Sequence, residues 1–554
     1  VPLFYASAMP FQGSLTGLVV ENHEGRPTKV EGNDMHPGSH GGTSIFHQAS
    51  VLGMYDPDRS KKVLRKGTDS TVNDFVDFAK KHFADTNKNI AFISEASSSP
   101  TLSGLKAQAL NKFNNADWVT YEPFGESNAL EGTQKAFGRR LRAHFDFSKT
   151  NVFVSLDDDV LNGTHPNSVE YGKQISAARK VTSTNDSMSR IYAVENGYSL
   201  TGSYADHRLR LKASEIDAFA HALAAALSGR VSGLSAFSGY SNQFSDHEWI
   251  SALADELVAN RGESVVSVGN NHSANAHAVV AAINKALGND GNTVNYLEVP
   301  HLDEESTSAF NATVEKMKNG GYDTIVMLGT NPVFSAQNKD FENALSNVEE
   351  VIHLSDYVDE TSKKASWHIN KAFYLESWSD GHSYGGVRSV IQPQIQPLYN
   401  GLSDIETLNI IVNGEMTSGY DLVQNTWKNI YSSGFKSKWA QLLHDGVDTN
   451  SGFTKANVRI SSSFRPDTSK DNAISGIEIT VRADSTLYDG RFANIAWLQE
   501  LPDPMTKITW DNVAAMSPAT AKQLDVENED VVEITSNGQT IKIAAWIQPG
   551  HADN

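Results

Sequence analysis

The sequence predicts an α/β protein in which two doubly wound parallel-sheet domains follow a small amino-terminal β-rich region and precede a carboxyl-terminal β-barrel. Three observations predict it. The length of 554 residues exceeds the roughly 250–300 residues at which a single core stops growing, so several domains are required. From about residue 70, short buried apolar runs alternate with helical periodicity, the signature of parallel strands joined by crossover helices. Beyond about residue 470 the helical period stops and β-type segments take over.

Residues 1–60 are rich in Gly, His and Pro, with β-like runs at 18–20 and 28–30 joined by Glu24-Gly25-Arg26. A helix over 72–83, a strand at 90–94 and a helix over 102–113 come next. Strand-like runs return at 151–156, 191–194 and 265–268, and again at 324–328 and 351–354. Ser214 with Asp217 predicts a capping box before an Ala/Leu-rich helix, and Ser273 predicts a helix that Gly288 ends. β-type segments follow at 476–481, 531–535 and 540–547, with Asn537-Gly538 as a hairpin turn.

Composition narrows the function classes. The 46 basic and 66 acidic residues leave a formal charge of -20. No Lys/Arg stripe is present to follow a phosphate backbone, so nucleic acid is not expected as a partner. No apolar run reaches the roughly 20 residues of a membrane-spanning helix, and His221 interrupts the best stretch, 219–227, so no direct membrane span is expected. Cysteine is absent, which excludes disulfides, thiolate zinc sites and cysteine-held iron–sulfur clusters. The chain opens at Val1 without a charged n-region, which predicts a targeting sequence lying upstream or removed. It stops at Gly550-His551-Ala552-Asp553-Asn554 directly after a strand, which predicts a natural polypeptide that continues.

Several residues invite a chemical reading. His23, His36, His40 and His47 crowd the first fifty positions, but their spacing matches no standard ligand pattern, and structural or exposed roles are the ordinary alternative. Asp157-Asp158-Asp159 follows a buried strand, where α/β folds place ligand loops; a cation or ribose contact competes with a loop that caps the next helix. Gly329-Thr330-Asn331-Pro332 also follows an apolar strand, where backbone amides face a phosphate or pterin or simply turn out of the sheet. His272 and His277, five apart, lie about 140° out of phase on a helix and do not grip one metal together. Nucleophile elbow, P-loop, zincin and dinucleotide motifs are all missing. No catalytic residue is assigned.

Met9-Pro10-Phe11-Gln12-Gly13-Ser14-Leu15-Thr16-Gly17-Leu18 resembles the Cys-x-x-Cys-x-x-x-Cys-Gly opening of molybdopterin oxidoreductases. Met9, Gln12 and Thr16 stand where the cluster cysteines would, and Ser44 stands near the fourth. The resemblance continues through Arg26 to Asn33, Tyr55-Asp56-Pro57-Asp58-Arg59, Ala205-Asp206-His207-Arg208, Asn331-Pro332, Tyr374-Leu375-Glu376-Ser377-Trp378 and Ser517-Pro518-Ala519-Thr520-Ala521, so it covers nearly the whole chain in order. It implies a molybdopterin-oxidoreductase-like fold divided as follows: 1–60, a β-rich region resembling a cluster domain without its cysteines; 61–124 with 301–470, the first doubly wound domain; 125–300, the second; and 471–554, the β-barrel. It also makes Gly329, Asn331 and Pro332 a vestigial pterin loop. In active members a residue between the two doubly wound parts binds molybdenum; the corresponding span, about 121–147, contains Ser127.

Ser155-Leu156-Asp157-Asp158-Asp159-Val160-Leu161, Tyr374 to Trp378, Tyr488-Asp489-Gly490-Arg491-Phe492-Ala493-Asn494 and Trp497-Leu498-Gln499-Glu500-Leu501-Pro502-Asp503-Pro504 are similar to the B subunit of bacterial alternative complex III. That resemblance implies a cofactor-free half, a scaffold in a membrane-associated quinol:electron acceptor oxidoreductase on the periplasmic side of a bacterial inner membrane. Iron–sulfur clusters are then expected in a following carboxyl-terminal half and haem c in partner subunits. The expected partners are cytochrome c-type and integral membrane quinol-binding subunits, with a cytochrome c or terminal oxidase as acceptor. Two rival readings remain: a serine-ligated molybdopterin-dependent reductase using Ser127 with Asn331 near a pterin, and a binding module retaining a pterin or nucleotide in the loops after Leu156 and Leu328.

Overall fold

The first strands, β1 (Leu3–Phe11) and β2 (Ser14–His23), pair antiparallel across a two-residue turn. Gln12 (φ 52) and Gly13 (φ 68) are both left-handed, as a turn matching the right-handed strand twist requires. β3 (Arg26–Gly32) adds beside β2, and Leu18, Val20 and Val30 are buried. The β-rich opening is thus a meander, followed by a helix at Ile45–Met54.

The computed structural model describes residues 1–300, 306–469, 476–536 and 538–554. The expected Asn537-Gly538 turn falls in part outside these residues. Two units divide the chain, one from Val1–Gly125 and Val299–Phe453, the other from Glu126–Glu298 and Thr454–Asn554.

In chain order the further strands are β4 (Leu64–Arg65), β5 (Thr68–Asp69), β6 (Asn89–Ser94) and β7 (Asn115–Thr120) in the first unit. The second unit contributes β8 (Arg142–Phe145), β9 (Val152–Leu156), β10 (Arg190–Glu195), β11 (His207–Arg210), β12 (Ser264–Val268) and β13 (Val294–Glu298). Back in the first unit come β14 (Thr324–Leu328), β15 (Glu350–Ser355), β16 (Trp367–Asn370), β17 (Ser379–His382) and β18 (Arg388–Ile391). The second unit ends with β19 (Thr454–Lys455), β20 (Val513–Met516), β21 (Val531–Ser536) and β22 (Gln539–Ile547).

The first unit's main sheet runs β5-β4-β16-β15-β14-β6-β7, with β16 through β7 parallel. After the edge hairpin β4-β5, the parallel part starts at β6, steps outward to β7, and returns to build β14, β15 and β16 on the other side. It is therefore doubly wound, with its switch point between β6 and β14. Strand alternation feeds two cores. Ile90, Phe92, Val326, Leu328, Ile352 and Leu354 pack on one face with Phe75, Leu105, Ile405 and Trp427. Ala91, Ile93, Ile325, Met327 and Val351 pack on the other with Phe310, Val314 and Phe341. Successive residues thus go to opposite helix layers, and each fully buried Ile, Val or Phe contributes about 1.5–3 kcal/mol.

The second unit's sheet runs β11-β10-β9-β12, all parallel. It starts at β9 and switches between β9 and β12, again doubly wound. Separate small sheets, β19-β13-β8 and β20-β22-β21, complete the unit, the latter forming the carboxyl-terminal β region.

The helix at Ala274–Leu287 is bounded as the sequence predicts: the Ser273 hydroxyl accepts from the Ala276 amide, and Gly288 (φ 75) closes it. Three local expectations are corrected. Ser214 and Asp217 do not form a capping box, because a 3-10 turn at Ala213–Glu215 precedes the helix Ile216–Ser228 and Lys212 N–H donates to Glu215 instead. Ser214 donates to Glu478, and Asp217 accepts from Ser273. Residues 476–481 are not a strand; Glu478, Thr480 and Arg482 hydrogen-bond to Ser214, Asn196 and Asp157 while Ile477, Ile479 and Val481 stay exposed. His272 precedes the helix that carries His277, so no helical phase relates them.

Candidate functional site

In doubly wound folds ligands bind beyond the carboxyl ends of the strands at the switch point. In the second unit that place belongs to Asp157, which follows β9, and Gly269, which follows β12. A Cβ on Gly269 would lie 2.2 Å from the Asp157 carbonyl oxygen, so only glycine fits. Asp157 is left-handed (φ 55), a conformation that costs a non-glycine residue on the order of 1 kcal/mol.

The Asp157 carboxylate is fully engaged. Arg482 Nη2 donates to Oδ1 at 2.5 Å and the His272 ring lies 2.9 Å from Oδ2. Burial pushes the carboxyl up, but Arg482 and His272 outweigh it and hold it below the usual range. Arg482 also donates to Asn196. Half-buried Asp158, desolvated and beside Asp157 and Asp159, is pushed up to about 6. Asp159 accepts from the amides of Leu200 (3.3 Å) and Thr201 (2.8 Å), so its carboxylate already caps the short helix Leu200–Tyr204. At the end of β10, buried Glu195 accepts from Arg208 Nε at 2.5 Å, and the Arg208 guanidinium stacks 4.5 Å over Tyr198.

The first unit repeats the pattern. Glu95 follows β6 and Gly329 (φ 78) follows β14; a Cβ on Gly329 would meet Glu95 Oε2 at 2.5 Å and Lys371 Nζ at 2.9 Å. Lys371, beyond β16, lies 3.6 Å from Glu95 and 3.2 Å from Asp404. Burial acts to neutralise the Lys371 amine, but Asp404, Glu95 and Asp356 raise it above its usual range. In each unit, then, a glycine after the second switch strand closes onto an acid after the first. In each, the acid is neutralised by a basic side chain from much later in the chain.

The residues singled out in the sequence are dispersed. Met9 and Thr16 face each other in the β1–β2 register and Gln12 sits in the turn between them. Ser44 caps the helix Ile45–Met54, its hydroxyl 2.7 Å from His47 Nδ1. Burial lowers His47 to about 4. His23 pairs with Glu21 at 2.6 Å, and buried His36 accepts from the Gly38 amide. Asn331 bridges Glu360 and Thr361 (2.9 and 2.6 Å), and Pro332 begins the four-residue helix Pro332–Ser335. Ser127 is the first residue of the helix Ser127–Phe137 and, like Asp157–Asp159, His272 and His277, belongs to the second unit, whereas Met9, Gln12, Thr16, Ser44, Gly329, Asn331 and Pro332 belong to the first. Among the described residues no three His, Asp or Glu side chains are placed to hold a metal ion, and no helix is long and apolar enough to cross a membrane.

No protein-family model and no curated protein matches the sequence. Among solved structures, acetylene hydratase from Pelobacter acetylenicus superposes with a TM-score of 0.67 over 99% of this chain and 92% of that one, at 11% identity. The chain has a molybdopterin-oxidoreductase-like fold. Within that fold, sequence reasoning reached Asp157–Asp159, Gly329 and His272 but missed Arg482, Lys371 and Glu95 and the pairing of His272 with Asp157. Arg482 reaches Asp157 and Lys371 reaches Glu95 across more than 200 positions, and nothing local marks these pairs.

Proposed function

We propose that this chain is a cofactor-free structural segment of a quinol-oxidising respiratory complex of the alternative complex III type, held on the periplasmic side of a bacterial inner membrane against cytochrome c-type and integral membrane subunits. It carries no catalytic residue, and the electrons travel through iron–sulfur clusters and haem outside it. The sequence resemblances of 155–161, 374–378 and 488–504 point to that assembly.

The observation that carries the scaffold reading is the pairing of charges at both switch points: Asp157 with Arg482 and His272, and Lys371 with Glu95 and Asp404. An anionic dinucleotide does not fit these residues. Carboxylates line the loops where its phosphates would lie, and like charges at close range oppose binding. The amides of Leu200 and Thr201 that would bond a phosphate are taken by Asp159. The Asn331 side chain is taken by Glu360 and Thr361.

Elemental and pterin analysis of the gently purified chain tests the reading. Absence of molybdenum, tungsten and released pterin is the expected result. Near-stoichiometric metal with pterin, lost in Ser127→Ala, would overturn it in favour of the serine-ligated reductase.

A further inference from the structure

The three-stranded sheet β20-β22-β21 leaves β21 at its edge, paired among the described residues with β22 alone. The pairing is regular from Val531↔Ala544 to Ser536↔Gln539, without a register shift. Proteins usually blunt such an edge with Pro, Lys or a bulge, because its unpaired amides and carbonyls template another strand. Val531-Val532-Glu533-Ile534-Thr535-Ser536 contains neither Pro nor Lys. Val531 is 69% exposed, and Ile541 on the neighbouring strand is 56% exposed. By alternation Val532, Ile534, Ile541 and Ile543 share one face, so the edge continues an apolar strip that an added strand would extend.

We propose that this edge is a docking site for a basic, extended segment of a partner protein, which adds to β21 as a further strand. Charge selects the occupant. Asp525, Glu527, Glu529, Asp530 and Glu533 are all exposed, with no Lys or Arg among residues 525–533. Lys542, 3.3 Å from Glu533, is the cation on the facing strand. A second copy of this chain would bring the same five carboxylates and a net charge of -20 to the seam, which opposes self-pairing. A Lys- or Arg-bearing strand gains both the main-chain ladder and the attraction. This surface is independent of the scaffold reading above.

The test uses the full chain and a fluorescent synthetic peptide of alternating Lys and Val, followed by anisotropy. Binding is expected, with about tenfold weaker affinity for the same peptide N-methylated at alternate residues and for its Glu-Val counterpart. The exposed triple variant Glu527→Gln/Glu529→Gln/Glu533→Gln should bind the Lys-Val peptide about tenfold more weakly as well. Hydrogen exchange at the β21 amides should slow only when the peptide is present.

Four outcomes overturn the proposal. Absent binding removes the site. Equal binding of the N-methylated peptide reduces it to charge attraction. Slow exchange at β21 in the free monomer means that the chain covers its own edge. A concentration-dependent dimer abolished by disrupting β21 makes the occupant a second copy.

Discussion

Arg482 and Asp157, 325 positions apart, meet with Nη2 2.5 Å from Oδ1. The carboxylate is almost wholly buried and the guanidinium is about one-third exposed. The pair fastens residues 476–484 across the carboxyl end of β9, and the first prediction tests it.

Arg482→Met should lower the urea midpoint by the equivalent of about 1–3 kcal/mol, because buried Asp157 loses its guanidinium partner and keeps the hydrogen bond to the His272 ring; the exposed part of Arg482 keeps the loss below that of a fully buried pair. Adding Asp157→Asn should recover part of the loss, and the double-mutant cycle reads the coupling directly. Additive losses would show that the two side chains do not stabilise each other.

The Arg59–Glu376 pair should matter more. Both side chains are buried, with two donor–acceptor contacts at 2.7 and 3.2 Å, and Glu376 also accepts from the amides of Phe373 and Leu398. Glu376→Gln leaves a buried guanidinium without its counter-charge and should cost about 3–5 kcal/mol in chemical denaturation. A loss below about 1 kcal/mol would show that water or rearrangement satisfies Arg59.

Asp158 predicts an unusual pH dependence. Its folded carboxyl is raised to about 6 from 3.8, chiefly by burial. The folded state therefore holds this proton more tightly than the unfolded chain, and the stability it contributes is full below pH 4 and lost as pH rises through about 6. Asp158→Asn should remove that loss and stabilise the chain at pH 7 by about 1–3 kcal/mol. An Asp158→Asn unfolding midpoint at pH 7 no higher than that of the unaltered chain would refute the assignment.

Buried histidines act in the opposite sense. Burial holds His277 at about 3 and His368 at about 4, below the ordinary 6.5. The unfolded chain takes up those protons first, so stability falls as pH drops below 6.5, by up to about 1.4 kcal/mol per pH unit for each group. The two slopes oppose each other between pH 4 and 6. Denaturation of Asp158→Asn should therefore show the steeper acid loss, and His277→Gln should flatten it again.

Local patterns carried much of the architecture. The strands at β6, β9, β12, β14 and β15 are short apolar runs in sequence, and Ser273 with Gly288 bounds a helix by cap chemistry alone. Where side chains found distant partners, local reading failed. Ser214 looks like a cap three residues before Asp217, but Glu478 takes its hydroxyl. The alternation at 476–481 has the period of a strand, yet Glu478, Thr480 and Arg482 spend their polar groups on Ser214, Asn196 and Asp157. At the switch points only Asp157 and Gly329 were legible, from their strand-end position; their counterparts Gly269 and Glu95 were not. Nor were the cations that neutralise the two acids.

The discontinuity of the first unit bears on its birth at the ribosome. Strand β6 must await β14, since Ile90 aligns with Thr324, and at about 5–20 residues per second that interval lasts on the order of 10–50 s. Meanwhile β9, β10, β11 and β12 all emerge between Val152 and Val268 and can close their sheet unaided. The later-starting unit is thus the first to complete its main sheet. The apolar segment Ile90-Ala91-Phe92-Ile93 spends the interval unpaired on its β14 side, the period in which the nascent chain most needs a chaperone.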